Sequence, residues 1–481
     1  MTLDAARGPA PGPANGNAPP LWQAVDAAAA TTGRSRRDWK AKGVAIDSRT
    51  LQPGDLFIAL EGPNRDGHGF VRDALERGAA AAVVTHRPDD VAEDAPLLLV
   101  DDTQAALDGL GRFGRNRALA KVIAVTGSVG KTSTKEMLRE VLRGFGTCHA
   151  SRASYNNHWG VPLTLANLPP ETTFAVAEIG MNHAGEISAL TRIARPHIAV
   201  ITAVAPAHLA FFASTAEIAD AKAEIFEGLE PGGVAVVNAE TLHSDRLLQA
   251  ARRYAQDIVT FGTSSSVDVR LAAFASDADG SRVEIEVAGR TLKLHLAAPG
   301  RHWAMNGLAV LAVAHRLGLD LAGTAERLAG LRPGAGRGAV REIAWGGGTI
   351  RLLDESYNAN PASMRAAIDV LGRQPGRKIA VLGDMLELGD TGPELHADLV
   401  RPLDEAAVDL VFTSGPLMRH LHDALPASRK AAWAEDSRSL APQVVEALTA
   451  GDVVLAKGSL GSAMRHVIAA LDAAADPKAE G

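Results

Sequence analysis

Residues 122–142 read VIAVTGSVGKTSTKEMLREVL, and no other stretch constrains the fold as strongly. VIAV has the length and composition of a buried strand. STKEMLREVL sets Met137, Leu138, Val141 and Leu142 at helical spacing. Between the two lies a glycine loop ending in Gly130, Lys131 and Thr132. A strand, a glycine loop and a helix in this order form a phosphate-binding loop. Its backbone N–H groups and the helix N-terminus cradle phosphate oxygens, the lysine adds a point charge, and the threonine hydroxyl can hold Mg²⁺. Thr126, Gly127, Ser128, Val129, Gly130, Lys131 and Thr132 are therefore the expected nucleotide contacts. The loop is a shortened form, because the commonest version has another glycine five positions before Gly130, where this chain has Val125. A tight glycine turn with a chance Lys-Thr is the bland reading, and the strand–loop–helix context argues against it.

With 481 residues, the chain exceeds what one core supports, and roughly 150 residues per domain suggests about three. Residues 1–20, rich in Pro, Gly, Ala and Asn, read as a disordered tail without the apolar core of a signal peptide. Residues 21–100 read as a small α/β domain. From 101 to 332, apolar runs (KVIAVTG, FAVAEIG, IAVITAV, VAVVNAE) alternate with helical stretches, which predicts a parallel sheet covered on both faces. The segment VDVRLAAFASDADGSRVEIEVAGRTLKLHLAA alternates with period two and predicts an antiparallel addition to that sheet. LRPGAGRGA predicts a hinge near Pro333. Beyond it, in 333–481, TIRLLDE, KIAVLGD, DLVFTSG and DVVLAKG predict a second parallel sheet whose strand ends share one ligand-binding rim. The expected class is thus α/β with three domains.

Bulk composition narrows the function. A net charge of −7 disfavours nucleic acid and anionic membranes as partners, and no run approaches a membrane span. The single cysteine, Cys148, excludes an internal disulfide framework and fits a reducing cytoplasm. Glu178 closes the apolar run FAVAE, where a carboxylate is costly unless it is paired or binds a metal. His208 follows another strand, and Lys222 sits in the helical IADAKAEIFEGL. Singly these could be a capping glutamate, a satisfied core histidine and a snorkelling lysine. Together with the phosphate loop they can assemble one Mg²⁺–phosphate site.

TGSVGKTSTKE, SYNNHWGVPLTL, EIGMNHAGEI, AHLAFFASTAEIADAKAEIF, DESYNANPASM and LGDMLELG stand in the order seen in Mur ligases, and the chain resembles that family over nearly its whole length beyond the tail. The shortened glycine loop is that family's form. NHAGEI and SYNANP are similar to the branch that adds D-alanyl-D-alanine, whereas the DNPR and GDRD motifs of the neighbouring branch are absent from this sequence. The resemblance implies a uridine-nucleotide domain, a central ATP-binding domain and a closing Rossmann-like C-terminal domain. It implies a cytoplasmic monomer that uses ATP to phosphorylate the carboxylate of UDP-N-acetylmuramoyl-tripeptide. The amine of D-alanyl-D-alanine then attacks the acyl phosphate to give an amide, ADP and phosphate.

Carried onto this chain, the resemblance makes Lys131, Glu178, His208 and Lys222 the catalytic set. Thr132, Glu178, His208 and Lys222 become the Mg²⁺ set, with Lys222 carbamylated. Asn306, Arg337, Asp354 and Glu355 face the nucleotide; Glu355 stands where the family usually has Asp. Asp47, Ser48, Arg49, Asp66, Gly67 and His68 meet the uridine nucleotide. Ser154, Asn156 and Asn157 meet the muramoyl-peptide side. Asn358, Asn360, Lys457 and Ser459 lie toward the amino substrate, and Leu460 replaces the usual Arg. From the residues alone, Asn358 and Asn360 before Pro361 also read as turn formers. The other functional readings are a different amide ligase of the superfamily, such as a folylpolyglutamate synthase, and an inactive nucleotide-binding relative.

Overall fold

The computed structural model describes residues 19–62, 65–151, 154–207 and 209–475. Residues 1–18 of the expected tail, and His208, lie outside the described residues. The chain divides into two compact units: residues 1–120 with 158–172, and residues 121–157 with 173–481.

In the first unit, five short strands form a sheet in the order Arg34–Ser35, Leu97–Leu99, Ala81–Val84, Asp55–Ile58, Gly43–Ala45, all parallel except the first pair. Phe57, Val71, Ala74, Ala82 and Val84 pack in one apolar cluster on one face of this sheet. The helix Thr103–Arg117 belongs to this unit, as does Gly160–Ala166. The reason is steric: a Cβ on Gly114 would lie 2.1 Å from the Leu165 carbonyl oxygen, so only glycine lets the two helices approach this closely. Trp22 Nε1 donates to the Ala166 carbonyl over 2.9 Å, and the Arg117 guanidinium lies 4.3 Å from the Trp22 ring.

The second unit carries two sheets. The nine-stranded sheet runs Cys148–Ala150, Phe174–Glu178, Lys121–Thr126, Ile198–Ile201, Val234–Asn238, Asp257–Gly262, Val269–Ser276, Ser281–Val287, Arg290–Leu296. The first seven strands pair in parallel, and the last two continue as the antiparallel addition that the period-two pattern predicts. Val283, Ile285 and Val287 face the core while Arg282, Glu284 and Glu286 face away from it. The helix Arg301–Arg316 is buried along its run from Leu308 to Ala314 and fills the space over this sheet.

The six-stranded sheet runs Ala339–Trp345, Gly348–Glu355, Val453–Lys457, Lys378–Gly383, Leu410–Ser414, Lys430–Ala434. Only its first pair is antiparallel. Register puts Glu355 beside Lys457, Lys457 beside Leu382 and Gly383 beside Ser414. DESYNANP, GDMLELG, TSG and KGS therefore emerge along one rim, as the strand pattern predicts.

Candidate active site

Chain geometry holds the glycine loop in shape before any ligand arrives. The helix Lys131–Leu142 starts at Gly130, which has φ 84°, and a Cβ there would meet Asn306 Oδ1 at 2.6 Å. Gly127 is equally constrained, since a Cβ would lie 2.0 Å from Thr202 Oγ1. Thr202 Oγ1 lies 2.6 Å from the Val129 carbonyl and 3.2 Å from that of Thr126. The Ser128 amide donates to Ala203 O over 2.7 Å, and its hydroxyl to Ala205 O over 3.0 Å. Asn238 in turn donates to the Thr202 carbonyl. Sequence reading singled out neither Thr202 nor Asn238, because both lie outside the motif and meet it only across the sheet.

Lys131 Nζ folds back on the Gly127 carbonyl at 2.6 Å. Burial pulls its ammonium below the ordinary lysine value; Glu178 opposes that pull and Arg337 reinforces it. Thr132 donates to Glu178 Oε1 over 2.9 Å, and Asn156 Nδ2 donates to the same oxygen over 2.8 Å. Glu178 is 1% exposed, yet its other oxygen, Oε2, is buried with no hydrogen-bond partner among the described residues. An unpaired buried carboxylate oxygen is costly, and a divalent cation is the partner that would satisfy it. The donor set of one carboxylate and one hydroxyl beside a phosphate loop fits Mg²⁺.

Lys222, on the helix Thr215–Ala223, is 2% exposed and makes no hydrogen bond or ion pair among the described residues. Burial holds its amine well below the ordinary lysine value, and the Lys131 ammonium adds to the effect. A second buried cation, Lys135, is satisfied instead: its Nζ reaches the Ser151 carbonyl at 2.9 Å and Glu136 at 2.6 Å.

The hinge segment links the two sheets through Arg337, whose guanidinium donates to Ser154 Oγ over 2.8 Å and lies 4.0 Å from the Tyr357 ring. Asp354 is buried, and both its oxygens are engaged, Oδ2 by the Gly336 amide at 2.8 Å and Oδ1 by the Ser356 hydroxyl at 2.6 Å. Asp354 thus shapes the hinge loop. Glu355 faces Lys457 Nζ at 3.3 Å; Lys457, 1% exposed, also donates to the Asn358 carbonyl at 2.9 Å. Ser459 Oγ accepts from the Leu386 amide and donates to the Ala359 carbonyl. Asn360 caps the helix Pro361–Gly372, its Oδ1 accepting from Ser363 N at 2.9 Å, so this side chain is engaged in starting a helix. Asn157 and Asn358 are exposed.

In the first unit, Asp47 is clamped by Arg49, with Nη2 2.7 Å from Oδ2, and this ion pair is the main cause of its carboxyl's lowered pKa. Ser48 between them is buried. Asp66 Oδ1 accepts from the His68 amide at 2.8 Å and from His68 Nδ1 at 2.7 Å. The Thr85 amide donates to His68 Nε2 at 3.0 Å. Gly67 has no room for a side chain, since a Cβ would lie 2.7 Å from the Leu60 backbone. Glu61, Asp66 and His68 are close enough to share a cation, but both His68 nitrogens are already engaged.

A glycine loop at the carboxyl end of a parallel strand, with a buried carboxylate against its threonine and a second sheet rim joined to it by a hinge arginine, defines a nucleotide-dependent enzyme of the phosphate-loop class. Three family models match in order along the chain: the Mur ligase family catalytic domain over residues 40–115, the Mur ligase middle domain over 125–314, and the Mur ligase glutamate ligase domain over 340–460. The chain is 33% identical over 427 residues to the UDP-N-acetylmuramoyl-tripeptide–D-alanyl-D-alanine ligase of Rickettsia prowazekii, covering 88% of this chain and 94% of that one. It is 35% identical over 431 residues to the enzyme of the same name from Escherichia coli, covering 89% and 93%. Among solved structures, MurF from Acinetobacter baumannii superposes with a TM-score of 0.84 at 31% identity over 94% of this chain and 99% of that one. MurF ligase from Thermotoga maritima in complex with ADP superposes at 0.77 with 27% identity over 90% and 97%. The chain belongs to the Mur ligase family.

Proposed function

We propose that the chain is the ATP-dependent ligase that joins D-alanyl-D-alanine to the tripeptide carboxylate of UDP-N-acetylmuramoyl-tripeptide, releasing ADP and phosphate. The observation that carries this reading is the unsatisfied Glu178 Oε2 beside Thr132 at the mouth of the phosphate loop. Residues 21–100 hold the uridine nucleotide through Asp47, Ser48, Arg49, Asp66, Gly67 and His68. Residues 101–332 hold ATP, and residues 333–481 present the dipeptide from the rim bearing Asn358, Asn360, Lys457 and Ser459. No helix among the described residues is long and apolar enough to cross a membrane, and the reading expects a monomer acting in the cytoplasm.

A carboxylate resists attack by an amine, so phosphorylation supplies a leaving group. The loop amides from Gly127 to Thr132 and the Lys131 ammonium face the charge that accumulates on the transferring phosphoryl group. Mg²⁺, held by Thr132 and Glu178 with His208 and Lys222 toward a second ion, would neutralise phosphate charge there. Asn156 orients Glu178, and Asn306 packs on the loop at Gly130. Arg337, facing the nucleotide with Asp354 and Glu355, reaches Ser154, which with Asn156 and Asn157 meets the muramoyl-peptide side. Closure of the hinge near Pro333 excludes water from the acyl phosphate.

Lys222 deepens the reading. A buried ammonium beside a Mg²⁺ site is repelled twice, by burial and by the cation. Burial shifts the balance toward the neutral amine, and a neutral amine adds CO₂, losing one proton, to give a carbamate whose oxygens suit Mg²⁺.

Phosphate release from ATP, with each substrate alone and both together, tests the reading. Release that needs both the tripeptide nucleotide and D-alanyl-D-alanine supports it. ATP binding without such release, on either the diaminopimelate or the lysine tripeptide, overturns it.

A further inference from the structure

The loop Asp384–Gly389 follows the strand Lys378–Gly383 and meets the loop between Ile201 and Thr215: the Glu387 carbonyl accepts from the Ala210 amide at 3.1 Å. Gly389, with φ 60°, turns the chain beside Ala210, in ordinary van der Waals range of its Cα. The loop also sets Ser459, whose amide donates to the Asp384 carbonyl at 3.0 Å and whose hydroxyl accepts from the Leu386 amide at 3.0 Å. Asp384 is tied down by the Met418 amide at 2.7 Å and the Leu417 amide at 3.3 Å.

One side chain completes this arrangement. His396 is 0% exposed; the Met385 amide donates to its Nε2 at 2.9 Å, and its Nδ1 lies 2.6 Å from the Gly392 carbonyl. The first bond needs a lone pair on Nε2, and the second needs a proton on Nδ1. Both hold only for the neutral ring in one tautomer.

We infer that His396 is a positioning residue for the amino substrate: its neutral imidazole fixes the Asp384–Gly389 loop, and through it the Ser459 hydroxyl and the contact with Ala210. A protonated ring would face the Met385 amide with a second donor and break the loop's anchor. Burial holds the ring's pKa below the ordinary histidine value, with the Gly392 carbonyl and then Asp384 opposing and His420 assisting. The loop makes no contact with the phosphate-loop residues 126–132 in any hydrogen bond among the described residues. Its loss should therefore fall on the dipeptide and not on ATP.

This inference rests on the ligase reading above. The test uses full-length wild-type protein, His396→Leu and His396→Gln, with phosphate release followed over about pH 5 to 9 while dipeptide or ATP is varied. Glutamine can donate and accept without titrating. Leucine leaves the Met385 amide and the Gly392 carbonyl unpaired, so the dipeptide KM should rise about tenfold or more with the ATP KM unchanged. His396→Gln should stay within about threefold of wild type. The dipeptide amine, with a pKa of about 8, gives every protein the same first acid limb in kcat/KM. Wild type alone should add a second, steeper limb below the ordinary histidine range, and His396→Gln should lack it. Should His396→Leu fail to fold, the two pH profiles decide. Equal rises in the ATP and dipeptide KM values, or a second limb that persists in His396→Gln, would overturn the inference. Wild-type protein without dipeptide-dependent release would instead overturn the ligase reading itself.

Discussion

The Thr132 hydroxyl donates to Glu178 Oε1 over 2.9 Å, while Glu178 Oε2, equally buried, meets no hydrogen-bond donor among the described residues. One oxygen is spent on holding the carboxylate still, and the proposed role of the other is to hold a cation. Glu178→Gln keeps the size and the ordering contacts but removes the charge. It should lower kcat at least about a hundredfold without lowering thermal stability, because a buried charge with one unsatisfied oxygen has been removed. Steady-state kinetics beside a melting curve checks this; a variant that stays active would deny the site its metal.

Lys222 makes a chemical prediction. Wild-type protein in CO₂-free buffer should lose most of its activity and regain it on adding bicarbonate. Lys222→Ala should be inactive in ordinary buffer, with partial rescue by bicarbonate. Full activity of Lys222→Ala would remove the carbamate from the account.

Arg337 reaches Ser154 with one nitrogen and stacks on Tyr357. A lysine can supply the charge but neither the planar stack nor the fork. Arg337→Lys should therefore cost about tenfold or more in kcat/KM for ATP. It should also weaken the compaction that hinge closure predicts for small-angle scattering when an ATP analogue and the tripeptide nucleotide are both added.

His68 is the post between Asp66 and the Thr85 amide. His68→Ala empties a buried position and takes the acceptor from the half-buried Thr85 amide, and should cost about 1–3 kcal/mol in denaturant unfolding. Affinity for UDP should fall with it while ATP affinity stays. The Asp66 carboxyl is held below its ordinary value, chiefly by the His68 amide. A depressed carboxyl pKa stabilises the fold above the unfolded value and loses that contribution as pH falls through the folded one. Acidification should therefore weaken this turn in wild type.

Much of this molecule was legible in its residues, for reasons that differ from place to place. The phosphate loop could be read because strand, glycines and helix are consecutive, so local chemistry states the whole motif. The shared rim of the second sheet could be read because each apolar strand ends in polar residues. What escaped reading depends on contacts far apart in sequence. Thr202 pins the phosphate loop from just past the end of a neighbouring strand, 72 positions beyond Gly130. His396 acts on Met385 from the next helix. Which unit the helix Thr103–Arg117 joins shows only in the approach of Gly114 to Leu165. Asn360 shows the opposite case: its place before Pro361 suited both a turn and a ligand, and its side chain caps a helix.

The most direct test follows the carboxylate oxygen. Tripeptide nucleotide labelled with ¹⁸O in its terminal carboxylate is incubated with ATP, Mg²⁺ and D-alanyl-D-alanine, and the released phosphate is weighed by mass spectrometry. An acyl phosphate carries one carboxylate oxygen onto the phosphorus, so the account predicts one ¹⁸O in each phosphate released. Unlabelled phosphate accompanying amide formation would contradict it.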